Sequence, residues 1–177
     1  MHIEEKKMGF FRWLTGTQKN ENKNKRTYSG ALGDQHTDST SWAYDDPDVI
    51  KYSEIYYNNL EKLEERYSVL YNLGLIEGSE VDDFIELCER NIMEFKRYKE
   101  ACASYKEEMP RNVPAYKRLA MIYEKQGRYE EAIEICAAAI HDGVVDDGTK
   151  GRMRGRLARL IRKYGEEIPE SISELLD

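Results

Sequence analysis

The feature that most constrains this 177-residue chain is a pair of apolar, alanine-rich segments separated by a glycine. Together they read AYKRLAMIYEKQGRYEEAIEICAAAI, residues 115–140. Apolar residues recur there every three or four positions, which is the spacing of one face of an α-helix. Gly127 ends the first segment, because glycine is favoured just after a helix. The small residues Ala120 and Ala132 allow two antiparallel helices to approach closely, so this stretch predicts a helical hairpin.

The same helical periodicity extends over most of the chain after residue 45, and nothing alternates as a strand does. Asp46 is the predicted cap of the first helix, and Ser79, followed by Asp82, the predicted cap of the second. We therefore expect an all-α fold. The predicted helices run from Pro47 to Gly74, from Ser79 through Tyr105, from about Asn112 to Gln126, from Tyr129 to about His141, from about Thr149 to Tyr164, and from Pro169 onward.

The hairpin also carries large, small and aromatic residues in a fixed order. They are Tyr116, Leu119, Ala120 and Tyr123, then Gly127 and Tyr129, then Ala132, Cys136, Ala139 and Ile140. This order resembles one tetratricopeptide repeat, over about Val113 to Asp146. The resemblance implies antiparallel helical hairpins stacked as a short superhelix.

The segment before this hairpin resembles the family less closely. Residues 81–92 align with residues 129–140, but the offset of 48 differs from the family period of about 34. We interpret residues 48–108 as a diverged, lengthened helical pair stacked before the clear repeat. The helix from about Thr149 is then the terminal cap, because a single hairpin cannot bury both of its faces.

The resemblance also implies a groove, since the first helix of each hairpin in this family lines a concave surface where peptides lie. The implied groove positions are Lys117, Met121 and Glu124, continued by Gly151, Gly155 and Ala158. Family members that clamp a carboxylate tail use Lys and Asn pairs, and Met121 stands where such an Asn is needed, so we expect no clamp of that kind. The predicted partner contacts are Lys117, Met121, Glu124, Arg152, Arg156 and Arg159.

The last long helix carries a basic ridge of Arg152, Arg156, Arg159 and Lys163 beside its apolar stripe. Residues 150–163 hold seven Lys or Arg and no acid, in a chain whose net charge is −7. The ridge either binds an anion, such as RNA, an acidic protein segment or lipid headgroups, or neutralises neighbouring acids such as Asp146, Asp147, Glu166 and Glu167. No aromatic residues interleave with it, which argues against nucleic acid. Gly148, Gly151 and Gly155 either delay the start of this helix or form a close-approach groove.

Residues 1–45 are predicted to be a flexible tail, because residues 15–43 have few aliphatic side chains to bury. Within it, residues 8–14 combine aromatic side chains with nearby Lys and Arg, and Met8 offers an alternative start. This segment either inserts weakly into an anionic membrane surface or stays disordered or docked on its own domain. Residues 46–177 form the predicted helical domain.

Catalytic and metal-binding signals are lacking in the sequence. Cys88, Cys102 and Cys136 form no CxxC pair and lie in apolar helical patterns, so we predict buried free thiols in a reducing compartment. There is no HExxH motif and no glycine-rich phosphate loop. We therefore predict no catalytic residue, no metal, no cofactor, and no stretch long enough to span a membrane.

These observations predict a non-enzymatic cytoplasmic adaptor, of a Lys/Asn/Glu/Tyr-rich composition typical of bacteria, that binds a protein or peptide partner on its groove. Two alternatives stay open: a peripheral membrane protein that uses residues 8–14, and an anion or RNA binder that uses residues 150–163. Homo-oligomerisation through residues 79–108 is also open, because one clear repeat is fewer than the three usually needed. The sequence names neither the partner nor the pathway.

Overall fold

The computed structural model describes residues 43–105 and 107–176, which form six α-helices and no strand. Neighbouring helices pack in contact, so the predicted all-α class is confirmed. The predicted tail and its aromatic segment, residues 8–14, lie outside the described residues. The helices are α1 (Pro47–Leu73), α2 (Ser79–Ala101), α3 (Pro114–Lys125), α4 (Tyr129–His141), α5 (Arg152–Tyr164) and α6 (Glu170–Ser173).

Helix α1 begins and ends where the sequence predicts. The Asp46 carboxylate accepts hydrogen bonds from the backbone N–H groups of Asp48 (2.8 Å) and Val49 (3.4 Å), which otherwise have no partner in the first turn. Gly74 closes the helix in the left-handed conformation. The helix buries one residue in every seven, namely Val49, Tyr56, Leu63 and Leu70.

The start of α2 corrects the predicted cap. Gly78, not Ser79, occupies the cap position, with a backbone φ of 103°. The Gly78 carbonyl accepts from the backbone N–H groups of Val81 and Asp82, both at 3.0 Å. This places Ser79 one residue inside the helix, past the position from which a hydroxyl caps the first turn. The predicted serine cap was therefore wrong.

The end of α2 also comes earlier than the predicted continuation through Tyr105. The α-helix stops at Ala101 and tightens into a 3-10 turn over Cys102–Ser104. Cys102 packs into a small cluster with Ala43 and Val49, and the Tyr105 hydroxyl donates to Asp46 Oδ2 at 2.7 Å. These contacts fasten the end of α2 to the start of α1, and a continued α-helix would carry both side chains away.

Helices α3 and α4 form the predicted hairpin around buried small and aromatic residues. Gly127 has φ 74, which lets the Arg128 N–H turn back to the Tyr123 carbonyl at 2.9 Å. Helix α3 starts at Pro114, two residues later than expected, because the residue before a proline disfavours helical backbone and Val113 is extended. The side chains buried between the helices and their neighbours are Tyr116, Leu119, Ala120, Tyr123, Ala132, Cys136 and Ala139.

Helix α5 packs on α4, as expected of a terminal cap, but begins at Arg152 rather than near Thr149. The Asp147 carboxylate accepts from the backbone N–H (3.0 Å) and the hydroxyl (2.6 Å) of Thr149 and so holds a turn there. Gly148 and Gly151 therefore precede the helix. The side chains of α5 that are buried are Met153, Arg156, Leu157 and Leu160.

A buried ion pair fixes α5 to the loop before it. Arg156 Nε donates to Asp147 Oδ2 at 2.8 Å, and the two side chains are 6% and 0% exposed. Burial raises the pKa of Asp147, but hydrogen bonds from Thr149 and Arg156 outweigh it and hold that pKa below its usual value. Arg156 thus lies inside the fold and is not an exposed member of the basic ridge.

The three cysteines are free and buried, as the sequence predicts. Burial raises the pKa of Cys88 and raises that of Cys136 to about 12, so both are protonated thiols at neutral pH.

Substitution of Gly127 tests the turn between α3 and α4. Gly127→Ala should lower the free energy of unfolding by about 1 kcal/mol, because an L side chain strains a left-handed backbone. The matched control is Gly155→Ala inside α5, where an added Cβ meets nothing within 4 Å; it should raise the free energy by about 1 kcal/mol. Urea denaturation measures both, and effects of the same sign would contradict the assigned backbone.

Removal of the buried charge on Asp147 tests the anchor of α5. Asp147→Asn should cost about 3 kcal/mol at neutral pH, because it leaves Arg156 buried without its counter-charge. The folded pKa of Asp147 lies below the usual 3.8, so the difference from wild type should be constant above that value and shrink as the pH falls below it. Denaturant titrations across the pH range measure this, with Asp146→Asn as control. A cost below that of the control would contradict a stabilising role.

Candidate partner-binding groove

The exposed strip of α3 carries the three predicted groove residues. Lys117, Met121 and Glu124 are separated by four and three residues, so they lie on one face of the helix. All three are half-buried, whereas the opposite face of α3 is buried against its neighbours. The strip therefore presents a cation, a flexible thioether and a carboxylate side by side.

Glu124 joins α3 to α5 through two ion pairs. Its carboxylate accepts from Arg159 Nη2 at 2.7 Å and from Lys163 Nζ at 2.6 Å. The Glu124 side chain is 15% exposed, but those of Arg159 and Lys163 are 43% and 48% exposed. Burial raises the pKa of Glu124, and the two cations outweigh it and lower that pKa below its usual value. The group is therefore an anion held by two cations that still reach solvent.

Two further cations lie on these helices, Lys117 on α3 and Arg152 at the start of α5. The Lys117 Nζ lies 3.6 Å from where a Cβ on Gly148 would be, so this side chain reaches towards the loop before α5. Arg152 is exposed at the first turn of α5. Neither cation has an ion pair within the residues that the structure describes. Arg159 and Lys163 together carry one more positive charge than Glu124 neutralises.

On its other side α3 is fastened to α1. The Arg118 guanidinium donates to both oxygens of Glu64, at 3.0 and 2.7 Å, and lies 3.8 Å from the centroid of the Tyr67 ring. Such a two-bond pair fixes orientation as well as distance. Sequence reasoning missed this contact, because Glu64 and Arg118 are 54 residues apart and no local pattern links them.

An open depression lies between α1 and α3. It is shallow and open to solvent. Tyr71, 62% exposed, forms part of its wall, with the Lys125 ammonium 5.4 Å from the ring centroid. Met121 contributes to it, so the depression adjoins the exposed strip of α3. Its lining residues are Tyr67, Leu70, Tyr71, Leu75, Met121, Ile122 and Lys125.

The structure thus brings together four of the six predicted contact residues, leaves Arg152 exposed at the first turn of α5, and buries Arg156. Lys117, Met121 and Glu124 lie on α3, and Arg159 reaches Glu124 from α5. Arg152 is exposed on the same helix as Arg159. Arg156 is buried against Asp147, and its side chain is not available at the surface.

Over residues 43–105 and 107–176, no group of three His, Cys, Asp or Glu side chains is placed to hold a metal ion. No helix in this part of the chain is long and apolar enough to cross a membrane. Glu130 and Glu131, in the first turn of α4, lie where a negative charge suits the helix dipole, and His141 is the last residue of that helix.

Comparisons with known proteins support the assignment of the α3–α4 hairpin as a tetratricopeptide repeat. A family model described as tetratricopeptide repeat matches residues 115–150, which cover α3, α4 and the loop that leads to α5. No curated protein and no solved structure matches the chain. With the observed pair of packed helices joined at Gly127, this match identifies residues 115–150 as a tetratricopeptide repeat.

Proposed function

We propose that this protein is a non-enzymatic adaptor that binds a protein or peptide on a groove formed by the exposed strip of α3 and the adjacent edge of α5. The observation that carries the proposal is the tetratricopeptide repeat, since repeats of this family generally serve as protein-interaction scaffolds. Solenoids of this kind use an extended concave surface to bind their partners.

The composition of the strip supports this proposal. Met121 lies between the Lys117 cation and the Glu124 carboxylate, and methionine adapts its shape to different apolar partners. Arginine and methionine are enriched at protein interfaces. The groove has both, since Arg159 contacts Glu124 next to Met121.

The burial of Arg156 favours a protein partner over RNA. With this side chain paired to Asp147, the exposed ridge beside α3 is reduced to Arg152, Arg159 and Lys163. Two of these cations already contact Glu124. Tight RNA binding depends on many cations free to meet phosphates and on aromatic side chains for stacking. The membrane alternative rests on residues 8–14, outside the described residues, and remains a prediction.

Site-specific photocrosslinking in the cells that produce the protein tests the groove. A benzophenone amino acid replaces Lys117 or Met121 in separate variants, and Glu130, exposed at the start of α4, is the matched control position. We expect adducts of discrete mass from positions 117 and 121 and none of that mass from position 130. Mass spectrometry then identifies the attached protein.

Two controls make this test decisive. Each variant should keep the wild-type free energy of unfolding within about 0.5 kcal/mol, because the replaced side chains are not core residues. Adducts found equally at position 130, or none from either groove position in folded protein, would contradict the proposed groove.

A further inference from the structure

We propose that the end of the helical array formed by α1 and α2 binds a second copy of this chain around a two-fold axis. The contacting surface, which we call the end face, lies apart from the groove, so the inference goes beyond the proposed function. The end face consists of Lys62, Arg66 and Val69 on α1 and of Asp83, Glu86 and Leu87 on α2.

The end face lies on the side of α1 that is turned away from α3. Glu64 of α1 binds Arg118 of α3, and the three end-face residues of α1 lie about 140° to 160° around the helix from Glu64. The described elements that pack most closely on α1 are α2, α3 and the 3-10 turn Ala43–Asp45. At the opposite end of the array α5 packs on α4, but α1 has no such additional neighbour among the described helices. This end of the array is therefore open.

Exposed apolar side chains lie at this open end. Val69 is 55% exposed, and Leu73, which extends the end face by one turn, is 64% exposed. The outer face of a terminal repeat is polar in arrays that end in solvent. Covering these two side chains removes apolar surface from water, which favours association.

Opposite charges lie side by side on the end face. Lys62 and Arg66 are exposed on α1, and Asp83 and Glu86 are exposed on α2. Arg66 Nη1 lies 4.0 Å from Asp83 Oδ2, so the basic row of α1 adjoins the acidic row of α2. The side chains of this pair are 54% and 64% exposed and still reach solvent. A second copy therefore adds counter-charges to both rows without breaking the pair.

The order of the residues along the two rows makes the end face complementary to itself. Helices α1 and α2 run antiparallel, because Arg66 contacts Asp83 whereas Asn59, earlier in α1, contacts Glu94, later in α2. A two-fold axis between them lays α1 parallel to the α2 helix of the second copy. The order cation, cation, apolar on α1 then runs beside the order acid, acid, apolar on that α2 helix.

The resulting contacts identify a second copy as the occupant. Lys62 and Arg66 meet the acidic row of the other chain, Val69 meets its Leu87, and the symmetry forms each contact twice. The rows from 62 to 69 and from 83 to 87 span about 10 Å and 6 Å, a difference that long Lys and Arg side chains accommodate. Complementary charge selects a partner and fixes its register, and here the matching charges belong to the chain itself.

Sedimentation equilibrium of the full chain between about 1 and 500 µM tests this inference. We expect a reversible equilibrium between monomer and dimer, with no growth beyond the dimer, because a two-fold contact closes on itself. A chain that stays monomeric at the highest concentration overturns the inference. Growth to larger oligomers overturns the two-fold arrangement.

Two complementary variants test the charged rows. The acidic variant is Lys62→Glu with Arg66→Glu, and the basic variant is Asp83→Lys with Glu86→Lys. Each alone should dimerise at least about tenfold more weakly than wild type, because like charges then face each other. An equimolar mixture of the two should recover the wild-type affinity, because opposite charges face each other again. Failure of the mixture to recover association overturns the proposed pairing.

The matched control for the acidic variant is Arg154→Glu with Arg162→Glu, the same charge change on exposed residues of α5. It should change the dimer affinity less than about twofold, and equal weakening by this control would overturn the site. Both end-face variants keep a net negative charge, so general attraction between them does not account for recovery in the mixture. Circular dichroism should show both to be folded, because all four replaced side chains are exposed.

The apolar contact is tested by Val69→Ser, which should weaken the dimer about fivefold. The control is Ile50→Ser, since Ile50 is 41% exposed but lies about 28 Å along α1 from Val69, and it should change affinity less than about twofold. Equal effects of the two would overturn the use of Val69, and a dimer that no end-face variant weakens would overturn the inference. Crosslinks from positions 117 and 121 report on the groove independently of either result.

Discussion

Close packing of α3 against α4 is the constraint on which the rest of this structure depends. Ala120 and Ala132 are fully buried, and larger side chains at these positions would force the two helices apart. Gly127 supplies the left-handed turn that brings α4 back onto α3. Because one face of α3 is used in this way, Lys117 and Glu124 are left on the face that α4 does not cover.

The Asp147–Arg156 ion pair then sets how α5 is rotated on the hairpin. Arg156 is one of several cations on α5. It is buried against Asp147, and Met153 and Leu157 of the same helix lie in the core beside it. The same rotation carries Arg159 onto Glu124. A buried charge that must meet its counter-charge has few acceptable orientations, because any other leaves an unpaired ion in the interior. The proposed binding edge therefore depends on a contact that is itself inaccessible to a partner.

Much of the fold follows from local sequence patterns, and most of the candidate site does not. Helical periodicity and the breaks at Gly74 and Gly127 located the helices, since these signals act within one or two turns. The cap predicted at Ser79 failed because Gly78 took that role. The Glu64–Arg118 contact was not predicted. The two residues are 54 positions apart, and no local sequence pattern indicates how α1 and α3 pack against each other.

The sequence by itself determined that α3 and α4 form a helical hairpin, because apolar residues recur at helical spacing on both sides of Gly127, and the order of residue sizes there resembles a tetratricopeptide repeat. It also determined that three cysteines lie inside, since each sits on an apolar helical stripe. Only the tertiary structure decided which cations of α5 reach solvent. Arg156 and Arg159 are three residues apart and alike in the sequence, yet one is buried on Asp147 and the other lies on Glu124. Their roles differ because the neighbours they meet come from different parts of the chain.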